Sequence, residues 1–85
     1  MNTRNTALEE AVQLLGGQTA VAALCAEATG QPVKQAHVWN WLNRDNKAPP
    51  EHAVIIEREV KKLGGTITRE VLCPGFPWAL VTEAA

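Results

Sequence analysis

The stretch Val33-Lys34-Gln35-Ala36-His37-Val38-Trp39-Asn40-Trp41-Leu42-Asn43-Arg44 decides how the rest of the chain is read. Val38, Trp41 and Leu42 recur at the i, i+3, i+4 spacing of a buried helical stripe. Lys34, Gln35, Ala36, Trp39, Asn40 and Asn43 fall mostly on the other side, a face rich in amides and short of carboxylates. Gln and Asn carry a donor and an acceptor side by side, which is what an adenine edge presents in the major groove. Two readings follow from the stretch alone. It is the reading helix of a DNA-binding domain, or an amphipathic surface helix with an ordinary polar face.

Composition narrows the setting. Eighty-five residues, 46% hydrophobic and 20% charged, suit one small folded domain with a modest core. A net charge of −1 lacks the basic excess usual in nucleic-acid binders. The charge is unevenly spread, however. Residues 31–47 carry Lys34, Arg44 and Lys47 against Asp45, a local balance of +2, while acidic residues gather at Glu9-Glu10 and between Glu51 and Glu59. No segment approaches the ~20 apolar residues of a membrane span, and Met1-Asn2-Thr3-Arg4-Asn5-Thr6 lacks the apolar run of a signal peptide. A cytoplasmic location, in a bacterium or a phage-infected host cell, is the expectation. Cys25 and Cys73 are too few for a disulfide framework, and with His37 and His52 they show no zinc-ligand spacing. Neither metal nor cofactor is expected. No Ser/His/Asp set, close carboxylate pair or phosphate-binding glycine loop is present, so an enzyme is not expected.

The remaining elements order themselves around the opening stretch. Thr6-Ala7-Leu8-Glu9 fits a capping box and starts a helix over about 6–15, with Leu8, Ala11, Val12 and Leu15 as its stripe. Residues 1–5 are polar and expected to fray. Gly16-Gly17 ends that helix, and an alanine-rich one follows over about 18–28, broken by Thr29-Gly30-Gln31-Pro32. The opening stretch is then a helix over 34–43. Pro50 at the first helical position begins a helix over 50–63, with Ala53, Ile56, Val60 and Leu63 facing inward and Val54 and Ile55 beside them. Residues 66–72 read either as a strand or as a short helical turn over 69–72 capped by Thr68, and the turn is preferred. Pro74 and Pro77 bar a regular helix beyond. Phe76, Trp78, Leu80 and Val81 form an apolar tail that either wraps the core or meets a second copy of the chain. The fold class expected is therefore all-α, four to five helices in a single domain over 1–85, with a core over 6–73 and an extended tail over 74–85.

Short links and a central helix pair are the layout of a helix-turn-helix domain. Specific residues carry a closer resemblance: Gly16-Gly17-Gln18-Thr19-Ala20, Gln35-Ala36-His37-Val38 with Trp41-Leu42, Pro50-Glu51-His52, Ile56-Glu57-Arg58, and Gly64-Gly65 with Ile67-Thr68-Arg69-Glu70-Val71-Leu72-Cys73-Pro74. In that order, over about residues 7–78, the chain resembles the Cro/C1-type, lambda-repressor-like family, and most closely the YdaS antitoxin and Cro-like regulators of phage and prophage. The resemblance implies double-stranded DNA as partner, a homodimer on a palindromic operator, and a possible toxin partner held by the tail. Gln35, Ala36 and Asn40 match base-reading positions. Trp39 occupies a groove-facing position where the family often has a small or polar residue; it touches a thymine methyl or the sugar backbone, or packs on the neighbouring loop. Gln18, followed by Thr19, matches a phosphate-gripping helix start. Lys34, His37, Asn43, Arg44 and Lys47 are candidates for further phosphate contacts, with a merely solvated His37 as the alternative. The chain departs from the family between the paired helices. About six extra residues, 27–32, either lengthen the first helix of the pair or open the turn into a loop. Lys34 also stands where the family has a Ser or Thr cap. Family members carry either a helical or a β-hairpin second half, and Pro49-Pro50 with the stripe behind it favours the helical form.

Overall fold

The computed structural model describes residues 4–81, and the expectations for the chain's first three residues and for 82–85 of the tail lie outside them. The elements are α1 (Thr6–Leu14), α2 (Gln18–Thr29), α3 (Gln35–Asn40) running directly into a π-helical segment (Trp41–Asp45), α4 (Pro50–Lys62), α5 (Arg69–Leu72) and a 3₁₀ turn (Trp78–Leu80). No strand occurs among the described residues, and 66–72 adopts the short helical alternative. The Cα radius of gyration, 12.1 Å, matches the ~12 Å expected of a compact domain this size.

One core joins every helix. Leu8, Ala11 and Val12 of α1 meet Val21, Ala22 and Cys25 of α2, Val38, Trp41 and Leu42 of the third helix, Ala53, Ile55, Ile56 and Val60 of α4, and Leu72 of α5. The i, i+3, i+4 spacings thus select the buried faces correctly, with one exception. Leu63 is 63% exposed and Ile55 is buried in its stead. The helix stops at Lys62, leaving Leu63 as its C-cap at φ −90°, ψ 4°, so the stripe ends before Leu63 can point inward. Gly65 packs so closely beneath that end that a Cβ there would collide with Cγ1 of Val60.

The first turn of α1 departs from the expected capping box. Asn5, not Thr6, is the N-cap, and its side chain accepts the Leu8 N–H at 3.0 Å. The same amide donates to Asn46 O at 3.1 Å and to Val71 O at 2.9 Å, so residue 5 is tied to two distant segments rather than frayed. Asparagine is an excellent cap because its short carbonyl reaches back without strain, and here its two N–H donors have acceptors as well.

The link between α2 and α3 lengthens in both of the ways that the extra residues allow. Helix α2 runs to Thr29, whose hydroxyl donates to Cys25 O at 2.8 Å and accepts the Gln31 N–H at 3.2 Å. Gly30 then turns the chain in the left-handed conformation at φ 71°, where a side chain would be strained. Residues 31–34 cross back, exposed except for Val33, which packs on the core.

The tail divides. Trp78 is buried, donates its indole N–H to Cys73 O at 3.0 Å, lies 4.6 Å from Phe76 between ring centres, and carries the Arg69 guanidinium 5.1 Å above its ring. The core therefore extends past residue 73. One 3₁₀ turn interrupts the expected extended course, and it leaves Leu80 83% and Val81 53% exposed.

Candidate nucleic-acid interface

Two helix starts define the candidate surface. Gln18 opens α2 and Gln35 opens α3, and the Gln35 Nε2 donates to the Gln18 Oε1. Sequence reasoning assigned these glutamines separate tasks and missed their pairing, because a contact across seventeen residues leaves no periodic trace. The bond consumes one N–H of Gln35 and one lone pair of Gln18. Gln35 keeps a carbonyl oxygen and a second N–H, the pair needed for an adenine edge, while Gln18 keeps both N–H donors.

The start of α3 lacks a Ser or Thr cap, and His37 supplies a substitute. Its Nδ1 accepts the Lys34 N–H at 2.9 Å, while the His37 N–H returns to Lys34 O at 2.9 Å. Lysine cannot accept with its ammonium, so the box closes through the backbone carbonyl. With Nδ1 as acceptor, Nε2 carries the proton and is a donor on the exposed side.

Along the outer face, Lys34, Gln35, Ala36, His37, Trp39, Asn43, Arg44 and Lys47 are exposed, as is Thr19 on α2; Gln18 and Asn40 are half-buried. Asn43 Nδ2 donates to Trp39 O at 3.0 Å and Arg4 Nη1 to Asn43 Oδ1 at 3.5 Å. Arg4 also pairs with Glu9, which offsets that carboxylate beside the face. Arg4 and Asn5, which sequence reasoning left as fraying, thus sit at the exit of the third helix.

That exit is a π segment. Within it Trp41 and Leu42 are buried in the core, while Asn43, Arg44 and Asp45 stay outside. Lys47 N–H bonds Trp41 O at 3.1 Å, Asn46 takes the left-handed conformation at φ 58°, and Ala48 N–H reaches Leu72 O at 3.0 Å. Beneath it the His52 ring stacks on Trp41, centroids 4.9 Å apart and 27° between planes. His52 Nδ1 is buried with no hydrogen-bond partner among the described residues. Burial is the main cause that lowers the His52 pKa below 6.5, opposed by Glu51 and aided by His37.

Burial raises the Cys25 thiol to about 11 and raises Cys73 as well, so neither forms a nucleophilic thiolate at neutral pH. Among the described residues no three His, Cys, Asp or Glu side chains gather as a metal cluster, and no helix is long and apolar enough to cross a membrane. Of the four tail residues singled out from sequence, Phe76 and Trp78 pack on the core, whereas Leu80 and Val81 are exposed, Val81 lining a shallow groove with the exposed Val54.

No curated protein and no solved structure matches the chain. A family model does: that of bacterial toxin YdaS, over residues 8–80, a span that takes in α2 to α5, the 3₁₀ turn and all but the first two residues of α1. The chain belongs to the bacterial toxin YdaS family.

Proposed function

We propose that this chain is a sequence-specific double-stranded DNA-binding transcription regulator of the Cro-like type, acting as a dimer on a palindromic operator. The observation that carries the reading is the Gln35–Gln18 amide pair, held at the adjoining starts of two helices on a face where Asp45 is the only carboxylate of residues 31–47. An amide fixed by a neighbour loses less rotamer freedom on meeting a base than a free one does. In this reading Gln35 pairs with adenine, and Ala36, Trp39 and Asn40 face further base edges. Gln18, Thr19, Lys34, His37, Asn43, Arg44 and Lys47 contact phosphates, which position the protein without reading sequence. The whole of 1–85 acts as one binding domain, needs no cofactor, catalyses no reaction and works in the cytoplasm. The local excess of cations supports this despite the net charge of −1.

Selection of bound sequences from random duplexes, followed by a salt titration, tests the proposal. The expected outcome is a palindromic motif, half-sites about 34 Å apart, and an affinity that falls steeply with salt. Failure to enrich any motif at low salt would refute it.

A second reading has its own support. The exposed Leu80, Val81 and Val54, together with the family's toxin description, favour a toxin–antitoxin component that grips a partner protein through the tail. Leu80→Asp separates the two, since it abolishes partner capture in that case and leaves DNA affinity unchanged in the first.

A further inference from the structure

We infer that Arg4 contacts a DNA phosphate, and that Glu9 holds its guanidinium in place until the phosphate displaces the carboxylate. The inference rests on the DNA-binding reading above and extends its phosphate contacts to a residue outside the paired helices.

Arg4 stands just before α1, within reach of the exit of the third helix. Its Nη1 donates to Asn43 Oδ1 at 3.5 Å and its Nε to a carboxylate oxygen of Glu9. A guanidinium carries five N–H donors in a planar fork. The other hydrogen of Nη1 and both of Nη2 therefore have no acceptor among the described residues. The side chain is 55% exposed, so these donors are open to a ligand. Asn43 belongs to the row of residues proposed above to contact phosphates, and Arg4 adds a cation to that row.

Arg4 lines two grooves, and their charges decide which one takes the phosphate. One, of about 460 Å³, lies between α1 and the start of α2 and is also lined by Glu9, Gln13, Gln18 and Leu42. The other, of about 550 Å³, carries Lys47 together with the carboxylates of Asp45 and Glu70. Two carboxylates disfavour an anion in the second groove. In the first, Glu9 is the only carboxylate and is already paired with Arg4. The amides of Gln13 and Gln18 supply further N–H donors there, and Gln18 keeps both of its own when it accepts from Gln35. Glu9 engages the guanidinium through Nε, whereas a phosphate can take two parallel N–H bonds from the fork. An ion pair this exposed is weak, so exchanging the carboxylate for a phosphate costs little.

The test uses the full chain and the duplex it enriches from a random library, with affinity measured over a salt series. Arg4→Ala should weaken binding about 8-fold at ~0.1 M salt, the value of one released counterion, and lower the salt slope by about one. Arg4→Lys should keep the slope, because the charge remains. Glu9→Gln should tighten binding roughly 1.5- to 5-fold, since no ion pair then has to be broken. That gain should vanish when Glu9→Gln is made together with Arg4→Ala. Circular dichroism and thermal melts establish that each variant is folded, and Arg4→Lys carries the comparison should Arg4→Ala fail to fold. If the parent binds its motif and Arg4→Ala has the same affinity and slope, the inference is overturned and the DNA-binding reading stands. A Glu9→Gln gain of equal size in the Arg4→Ala background overturns it too, since the carboxylate then acts by repelling DNA and not by holding Arg4. Failure to enrich any motif overturns both.

Discussion

Asn5 offers the sharpest test of how the third helix is held. One side chain caps α1 at Leu8 and spans to Asn46 O, at the exit of the π segment, and to Val71 O in α5. Asn5→Ala removes all three bonds. An N-cap is worth about 1 kcal/mol. The two carbonyl bonds add roughly 0.5–1.5 kcal/mol each, with the exposed one to Val71 at the low end. The expected total is about 2–3 kcal/mol, against the roughly 4–13 kcal/mol that a chain this long commands. Asn5→Ser keeps an acceptor for Leu8 and loses the long-range donors, so it should cost about half as much. Urea denaturation followed by far-ultraviolet dichroism reads both values, and a thermal melt should fall by roughly 10–20 °C for Asn5→Ala. Should Asn5→Ala unfold within 0.5 kcal/mol of the parent, the staple is idle. Should Asn5→Ser equal Asn5→Ala, the long-range bonds carry the whole effect and the cap none.

Three further outcomes are expected. The His52 pKa is lowered in the folded chain, so the unfolded state takes up the proton first as pH falls below 6.5; stability present above that value declines on acidification, and the urea midpoint of His52→Gln should change less than the parent's between pH 7.5 and 5.5. Gly65→Ala drives a methyl into Cγ1 of the fully buried Val60 and to 3.2 Å from its carbonyl oxygen, which should cost about 1–3 kcal/mol in the same urea assay. In DNA binding, Gln35→Ala should relax preference at one base position by ~1–3 kcal/mol, whereas Lys47→Ala should weaken all sequences alike and lower the salt slope by about one.

Helix bodies and their buried faces were legible from sequence because apolar spacing is a direct record of which side faces a core. Val38, Trp41 and Leu42 are the plainest case. What stayed hidden is set by groups distant in sequence or by a single residue of register. Thr6-Ala7-Leu8-Glu9 and Asn5-Thr6-Ala7-Leu8 are both plausible helix starts, and the acceptors on Asn46 and Val71 accompany the second. Leu63 fits the stripe by arithmetic, yet the helix ends one residue too soon. The π segment has no periodic signature, because Val38, Trp41 and Leu42 keep the spacing of an ordinary α-helical stripe. At the candidate interface the exposed residues could be named individually, but the Gln18–Gln35 and Lys34–His37 bonds that organise them could not.

Those bonds divide the outer face into two kinds of position. Gln18, Gln35 and His37 are hydrogen-bonded into the helix starts, so replacing one disturbs its neighbour as well. Ala36 carries only a methyl group, and the described hydrogen bonds of Trp39 and Asn40 are made by their backbones, so their outward side chains can be exchanged without loosening the frame. On the proposed DNA-binding reading, retargeting would accordingly start at 36, 39 and 40. On the same reading a switch at 35 would require a compensating residue at 18, so that the two glutamines change together or not at all.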